Sequence, residues 1–121
     1  MELSGASLVI ACVGRKQFFK PAGSETKGRL RIRIHTAGGR VIEYLVQLEA
    51  WMGTSWEPAI RCDNAHGFPH EDLLGLGGAV VEKKMLGSLG AEEALCYAER
   101  HYRDDADRLI GEYLLRRGDP S

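Results

Sequence analysis

Two neighbouring segments alternate between apolar and polar residues, and they constrain the fold more than any other feature of the sequence. In residues 29–35 every second residue is apolar, and residues 41–50 alternate in the same way. A period of two is typical of strands that bury one face. Only a short segment around Gly38-Gly39 separates the two, so we predict an antiparallel hairpin.

The length of the hairpin loop determines which residues face each other. A two-residue loop would turn one apolar set to the wrong face of the sheet. The three-residue loop Ala37-Gly38-Gly39 keeps both apolar sets together; it pairs Ile34 with Ile42 and Arg33 with Glu43. We therefore predict the three-residue loop, with its last glycine in the left-handed region as part of a β-bulge.

The remaining elements follow the order of strands first and a helix last. We predict strands over residues 7–13, 56–63, 70–75 and 79–85, a loop over 14–28 and a helix over 91–117. The helix is the clearest element, because Leu95, Tyr102, Leu109 and Tyr113 lie on one face at helical spacing. We therefore expect the 121 residues to form a single α+β domain, an antiparallel meander of about five strands with one long C-terminal helix packed on one face.

Charge is distributed unevenly along the chain. Residues 1–41 carry eight Lys and Arg and two acids, whereas residues 42–121 carry eight Lys and Arg and fifteen acids. This asymmetry allows a basic face for a polyanion, although the two halves can also neutralise each other across one sheet. No run of about 18 apolar residues occurs, so we expect no membrane partner. The widely spaced Cys12, Cys62 and Cys96 indicate reduced core thiols in a cytoplasmic protein.

Residues 61–72, Arg-Cys-Asp-Asn-Ala-His-Gly-Phe-Pro-His-Glu-Asp, concentrate the groups that can do chemistry. One interpretation is a ribonuclease site, with His66 and His70 as general base and acid, since imidazole titrates near pH ~6.5. Arg61 would hold a phosphate in a bidentate manner. The candidate catalytic residues are therefore Arg61, Asp63, His66 and His70.

Two other interpretations of the same segment stay open. Carboxylate and imidazole groups of Asp63, His66, His70 and Asp72 offer metal ligands, although the spacing is weakly diagnostic and we expect no metal or cofactor. A purely structural role is the third, in which Asp63 or Asn64 caps the turn and the histidines hydrogen-bond the hairpin. If RNA is the substrate, the candidate binding residues are Arg31, Arg33, Asn64 and Asp72.

The segment 61–72, followed by a short strand and a helix with Glu92-Glu93-Ala94-Leu95, resembles a group of small prokaryotic proteins. Members of that group carry Asp-Asn-Ala-His-Gly-x-Pro-His on a hairpin, and the group is similar to the TumE-like toxins of toxin–antitoxin pairs. The resemblance covers about residues 29–115. This sequence departs from the pattern at two positions: Cys62 stands where the group usually has tyrosine, and Glu71 stands where the group often has a basic residue.

The resemblance implies a component of a toxin module that acts on RNA through the His-rich hairpin. The partners it implies are RNA and a helix-turn-helix antitoxin, and a homodimer is also expected. The alternative is a non-enzymatic binding or dimerising module that uses the open face of the sheet.

Overall fold

The computed structural model describes residues 14–65 and 67–118, which form a six-stranded antiparallel sheet with two helices packed on one face. The strands pair in chain order and are β1 Gly14–Ala22, β2 Gly28–Ala37, β3 Arg40–Trp51, β4 Trp56–Asp63, β5 His70–Leu74 and β6 Val80–Met85; the helices are α1 Ala91–Asp104 and α2 Ala106–Arg116. The predicted α+β class and meander are confirmed, but with six strands and two helices. The predicted strand over 7–13, which contains Cys12, lies outside the described residues. Neither helix is long and apolar enough to cross a membrane, and the same holds throughout the described residues.

Residues 14–28, which we predicted to be a loop, are largely a strand. Gly14–Ala22 forms β1 and pairs along its whole length with β2. Within the described residues β2 is the one partner strand of β1, so Pro21 lies in the strand without interrupting a central hydrogen-bond ladder. Glycine and proline, which we interpreted as loop signals, stand near the two ends of an edge strand.

The turn between β2 and β3 has two residues rather than the predicted three. Gly38 and Gly39 have φ of 62° and 75°, as a type I′ turn requires, so the predicted left-handed Gly39 is confirmed. A β-bulge removes the conflict with the apolar pattern, because Thr36 pairs with Val41 while His35 pairs with Glu43.

The bulge sets a register that differs from the predicted one. Ile42 becomes an extra, exposed residue, and the predicted pairs Ile34–Ile42 and Arg33–Glu43 are wrong. The observed apolar pairs are Ile34 with Tyr44, Ile32 with Val46 and Leu30 with Leu48. Both apolar sets therefore still share one face, as the pattern demanded.

β4 has the predicted bounds and lies between β3 and β5. Pro58 is tolerated there because it stands beside a second bulge, opposite Glu49, and because the pairing with β5 begins only at Ile60. Proline lacks the backbone N–H group, but no β4–β5 hydrogen bond is lost at this position.

The core lies between the apolar face of the sheet and the two helices. Leu95, Tyr102, Leu109 and Tyr113 are all buried against the sheet, as predicted. The central strands supply the facing side chains: Leu30, Ile32, Tyr44, Val46, Leu48, Ile60 and Cys62. Gly28 is part of this packing, since a Cβ there would lie 2.7 Å from Ile110 Cδ1.

The predicted single helix over 91–117 is broken at Asp105. This residue has φ −108° and ψ 20°, outside the helical region, and separates α1 from α2. Its carboxylate accepts a hydrogen bond from Arg108 at 3.0 Å and lies 3.1 Å from His101 Nδ1. Such local side-chain bonds compete with helical backbone, which is why aspartate favours helix ends.

The loop between β1 and β2 is tied to α2 by one carboxylate. Asp107 accepts hydrogen bonds from the backbone N–H groups of Ser24, Glu25 and Thr26 at 2.9–3.2 Å, and from the hydroxyls of Ser24 and Thr26. The Thr26 hydroxyl, together with these N–H groups, holds the pKa of Asp107 well below its usual range.

Acid is expected to remove the stabilisation that Asp107 provides. A pKa that is lowered in the folded state contributes stability above the unfolded-state value of about 3.9, and this is lost as the pH falls towards the folded value. The difference in Tm between the wild type and Asp107→Asn should therefore be full at neutral pH and decline below about pH 4. Thermal unfolding at closely spaced pH values measures it, with Asp104→Asn on the exposed side of α1 as control. A pH-independent difference for Asp107→Asn would contradict the assignment.

Candidate functional site

The turn between β4 and β5 is shaped by the side chain of Asp63 and by Gly67. Asp63 Oδ1 accepts a hydrogen bond from Ala65 N at 2.9 Å, and Gly67 N donates to Asn64 O at 2.9 Å. Gly67 has a φ of 88°, in the region that favours glycine. The turn therefore returns the chain directly into β5, so that the two halves of the His-rich segment face each other.

Four of the predicted site residues converge on the sheet face opposite the helices, and a lysine of β6 joins them. We call Arg61, Asp63, His70, Asp72 and Lys83 the charge cluster. Asp72 is 2% exposed, and its carboxylate lies 3.0 Å from Lys83 Nζ and 3.4 Å from Arg61 Nη2. Asp63 Oδ2 lies 3.5 Å from Arg61 Nε. The two cations thus neutralise carboxylates that would be costly to bury alone.

His70 is engaged through both ring nitrogens. Nδ1 lies 3.1 Å from Phe68 O, and because a carbonyl oxygen only accepts, Nδ1 carries the proton. Nε2 lies 3.2 Å from Asp63 Oδ1 and 3.7 Å from Asp72 Oδ2, and because a carboxylate only accepts, these contacts are attractive when Nε2 also carries a proton. The side chain is only 6% exposed, so the imidazole offers little surface to a substrate.

The metal interpretation has a geometric basis but fits the charge cluster less well than ion pairing does. Asp63, His70 and Asp72 offer ligand atoms within 4.8 Å of one another, and the Nδ1 bond of His70 is of the kind that metal ligands make. Arg61 and Lys83, however, contact the same carboxylates. A divalent ion would have to displace both cations, so this donor set serves better as an internal ion-pair cluster.

The two remaining residues of the turn differ in what the structure shows. His66 lies outside the described residues, so the His66–His70 pair stays a prediction. Asn64 Oδ1 accepts a hydrogen bond from Tyr44 N at 3.1 Å, and its Nδ2 donates to Ile42 O at 3.0 Å. These bonds fasten the turn to the bulged end of β3 and give Asn64 a structural role; its contact with a substrate stays a prediction.

Arg31 and Arg33 lie on the same face as the charge cluster, two strands away. The register forms two rows across the sheet, one of Gln17, Arg33, Leu45, Asp63, His70 and Met85, the next of Phe19, Arg31, Gln47, Arg61, Asp72 and Lys83. We call these two rows the open face. Neighbouring strands are about 4.8 Å apart, so the two arginines lie roughly 10 Å from the β4 residues of their rows.

A groove of about 600 Å³ opens where the open face meets the β4–β5 turn. Its lining includes Arg15 and Arg33 from the first two strands and Asp63, Asn64 and Ala65 from the turn. The volume lies within the range of small-molecule sites in proteins. The groove therefore connects the basic side of the open face with the start of the His-rich turn.

Phe19 and Arg29 form an aromatic–cation stack along the open face. The guanidinium carbon of Arg29 lies 4.1 Å from the ring centroid of Phe19 and 4.3 Å from that of Trp56, and its Nε donates to Glu49 Oε1 at 2.7 Å. Phe19 is nevertheless 47% exposed. Phe18, its neighbour in β1, instead packs against the core. The alternation of β1 is the signal that distinguishes the two.

Comparison with known proteins gives a family for this fold. A family profile described as a domain of unknown function, DUF7718, matches residues 13–119. The chain belongs to the DUF7718 family. The match spans all the described strands and helices, and so includes the whole open face. No curated protein and no solved structure matches the chain.

The DUF7718 fold has a second polar cluster, which lies on the helix side of the sheet and is buried. Cys62 Sγ lies 3.5 Å from Tyr44 OH, and Tyr102 OH donates to Glu71 Oε2 at 2.7 Å. Burial raises the pKa of the Cys62 thiol to about 12 and also raises the pKa of both tyrosines. A protonated, buried thiol is not nucleophilic. The prediction of core thiols is therefore confirmed for Cys62, but Cys96 is exposed.

Proposed function

We propose that the protein is an RNA-binding component of a toxin module and that single-stranded RNA lies on the open face. The observation that carries this proposal is the basic surface on the β1–β2 side of that face. Arg15 and Arg33 are exposed and Arg31 is half-buried, with its Nε held by Gln17 Oε1 at 3.1 Å. Arginines aligned along one strand suit the phosphates of an extended polyanion.

The acids on this side of the sheet cancel only part of that charge, since among the described residues Glu43, which lines the groove next to His35, is the one of them that is exposed. Asp63 and Asp72 of the open face are buried and are neutralised by the cations of the charge cluster. Glu49, which flanks the open face, is also buried and binds Arg29. The charge that remains at the surface next to β2 is therefore mainly that of the arginines.

Phe19 supports the binding of single strands in particular. It is paired with Arg31 in the register, and its ring is 47% exposed. Aromatic side chains beside cations provide surfaces on which unpaired bases stack, whatever the base. We therefore expect binding to be largely independent of sequence.

The resemblance to TumE-like toxins supports a further step, cleavage of the bound RNA at the His-rich turn. The groove reaches Asp63 and Ala65, and His66 follows directly in the chain. Because His70 is buried and engaged at both nitrogens, we assign it to holding the turn, and His66 to contact with the substrate. Arg61, the predicted phosphate ligand, is paired with Asp63 and Asp72, so we assign it to holding the charge cluster together.

A non-enzymatic module is the second candidate. Exposed aromatic residues such as Phe19 are also enriched in protein interfaces, so the open face would suit a protein partner. The partner that the resemblance implies is a helix-turn-helix antitoxin. A small helix-turn-helix gene beside the gene for this protein would support that assignment.

Fluorescence anisotropy with a labelled oligouridine tests the proposal. The double variant Arg31→Ala/Arg33→Ala should weaken binding, and the slope of log K against log salt should fall by about 0.7 for each phosphate contact removed. Phe19→Ala should cost about 1–3 kcal/mol if a base stacks there. The same samples are analysed for cleavage on denaturing gels, where His66→Ala should abolish cleavage without lowering Tm.

A matched control keeps the change in net charge the same. Arg100→Ala/Arg103→Ala removes two exposed arginines from α1, on the other side of the sheet, and should leave RNA affinity unchanged. Equal loss in both double variants would mean non-specific attraction, and no binding by the wild type would refute the RNA proposal. Binding without cleavage under all conditions would leave a binding module and end the ribonuclease interpretation.

A further inference from the structure

β6 is exposed along its whole length. All six residues of Val80–Met85 are exposed, and no strand in 14–65 or 67–118 pairs with its outer edge. Val80 is 48% exposed, Val81 58% and Met85 54%, and these apolar residues flank the charged Glu82, Lys83 and Lys84. An edge with apolar side chains and unpaired backbone groups is a template for pairing with another strand.

We propose that β6 pairs in antiparallel fashion with β6 of a second copy of this chain, about a two-fold axis at Lys83. In this register Glu82 lies opposite the partner's Lys84, and Lys84 lies opposite the partner's Glu82. Two opposite-charge pairs then form across the interface, since cross-strand neighbours have Cβ atoms about 5 Å apart. The dimer has one continuous sheet, and this inference does not depend on the proposed RNA binding.

The positions of the side chains on the two faces select this register. Glu82 and Lys84 pair with Leu73 and Glu71 of β5, so both lie on the helix side, while Lys83 pairs with Asp72 on the open face. Directly opposite residues of an antiparallel pair share a face of the sheet. The two-fold axis therefore has to pass between one residue and the same residue of the partner, not between two successive residues. Each of these registers sets one residue opposite its own copy, but an axis at Glu82 or at Lys84 loses both ion pairs, whereas an axis at Lys83 forms them.

Lys83 is the residue that meets its own copy at the axis. Its Nζ lies 3.0 Å from the Asp72 carboxylate, so each lysine brings its own counter-charge. Beyond the ion pairs, Met85 comes to the partner's Val81, which is the extra residue of the bulge that ends the regular pairing of β6 with β5. The exposed apolar residues of the edge are thereby covered as well.

Light scattering coupled to size-exclusion chromatography measures the molar mass of the protein in solution and hence its oligomeric state. We expect the wild type to have twice the mass of the 13.4 kDa chain. Glu82→Lys and Lys84→Glu should each give a folded monomer, because each sets two like-charge pairs across the axis. The double variant Glu82→Lys/Lys84→Glu should restore the dimer, and Arg100→Glu on α1 should leave it unchanged.

Mixing the two single variants gives a sharper result. A chain with Glu82→Lys beside a chain with Lys84→Glu again forms two opposite-charge pairs, so monomers of each should combine into a heterodimer. Far-ultraviolet circular dichroism and Tm confirm that each variant is folded. A wild type of single-chain mass at all concentrations would overturn the proposal. Single variants that stay dimeric, or a mixture that stays monomeric, would also overturn it.

Discussion

Asp72→Ala is expected to lower the free energy of unfolding by about 3 kcal/mol, because it leaves Lys83 without its counter-charge and the partly buried Arg61 with Asp63 alone. Asp72 lies within 3.4 Å of both Arg61 Nη2 and Lys83 Nζ. Removing one partner of a buried pair costs more than the pair itself contributes. Lys83 is half-exposed and can turn to water, so most of the loss comes from Arg61. Urea denaturation measures the effect.

An exposed ion pair provides the control for this change. Glu112 lies 2.8 Å from Arg108 on the surface of α2, and Glu112→Ala should cost about 0.5 kcal/mol or less. Asp72→Asn keeps the shape and removes the charge, so it should lie between Asp72→Ala and the wild type. A loss below about 1 kcal/mol for Asp72→Ala would mean that water replaces the carboxylate and that the charge cluster is not a structural unit.

Leu109→Ala is expected to cost about 2–5 kcal/mol, through lost transfer energy and the cavity left beneath α2. Leu109 belongs to the buried core between α2 and the sheet. In urea the midpoint should fall while the slope stays constant, since the surface exposed on unfolding is nearly the same. Leu115→Ala provides the control on the same helix, because Leu115 is 66% exposed and its loss should change stability by about 0.5 kcal/mol at most. Equal effects at the two positions would mean that α2 does not pack as described.

The strands that bury one face could be predicted from the two-residue alternation of apolar and polar residues alone. β4 has the predicted bounds, and β2, β3, β5 and β6 differ from the predicted ranges by a few residues at most. β1 was missed because an edge strand buries few side chains, so glycine and proline at its ends dominated the pattern. The β2–β3 bulge was missed because a two-residue glycine turn and the apolar alternation conflict unless one residue is extra. That conflict is itself a signal for a bulge.

The site could be predicted in part, because residues two apart on a strand share a face. This places Arg61 with Asp63 and His70 with Asp72, and the turn brings the two pairs together. Lys83 was missed because it comes from a third strand, whose register the sequence does not reveal. The burial of His70 was equally hidden, since it depends on how the turn packs.

Strand pairing in chain order has a consequence for synthesis on the ribosome. Each strand of the meander finds its neighbour already made, so pairing closes only short loops as the nascent chain grows. The helices that cover the apolar face come last, beginning at Ala91. Until they emerge, the leucines and isoleucines of the central strands face water or a chaperone. Translation that stalls before Ala91 would release a sheet with one bare apolar side, which quality-control proteases recognise.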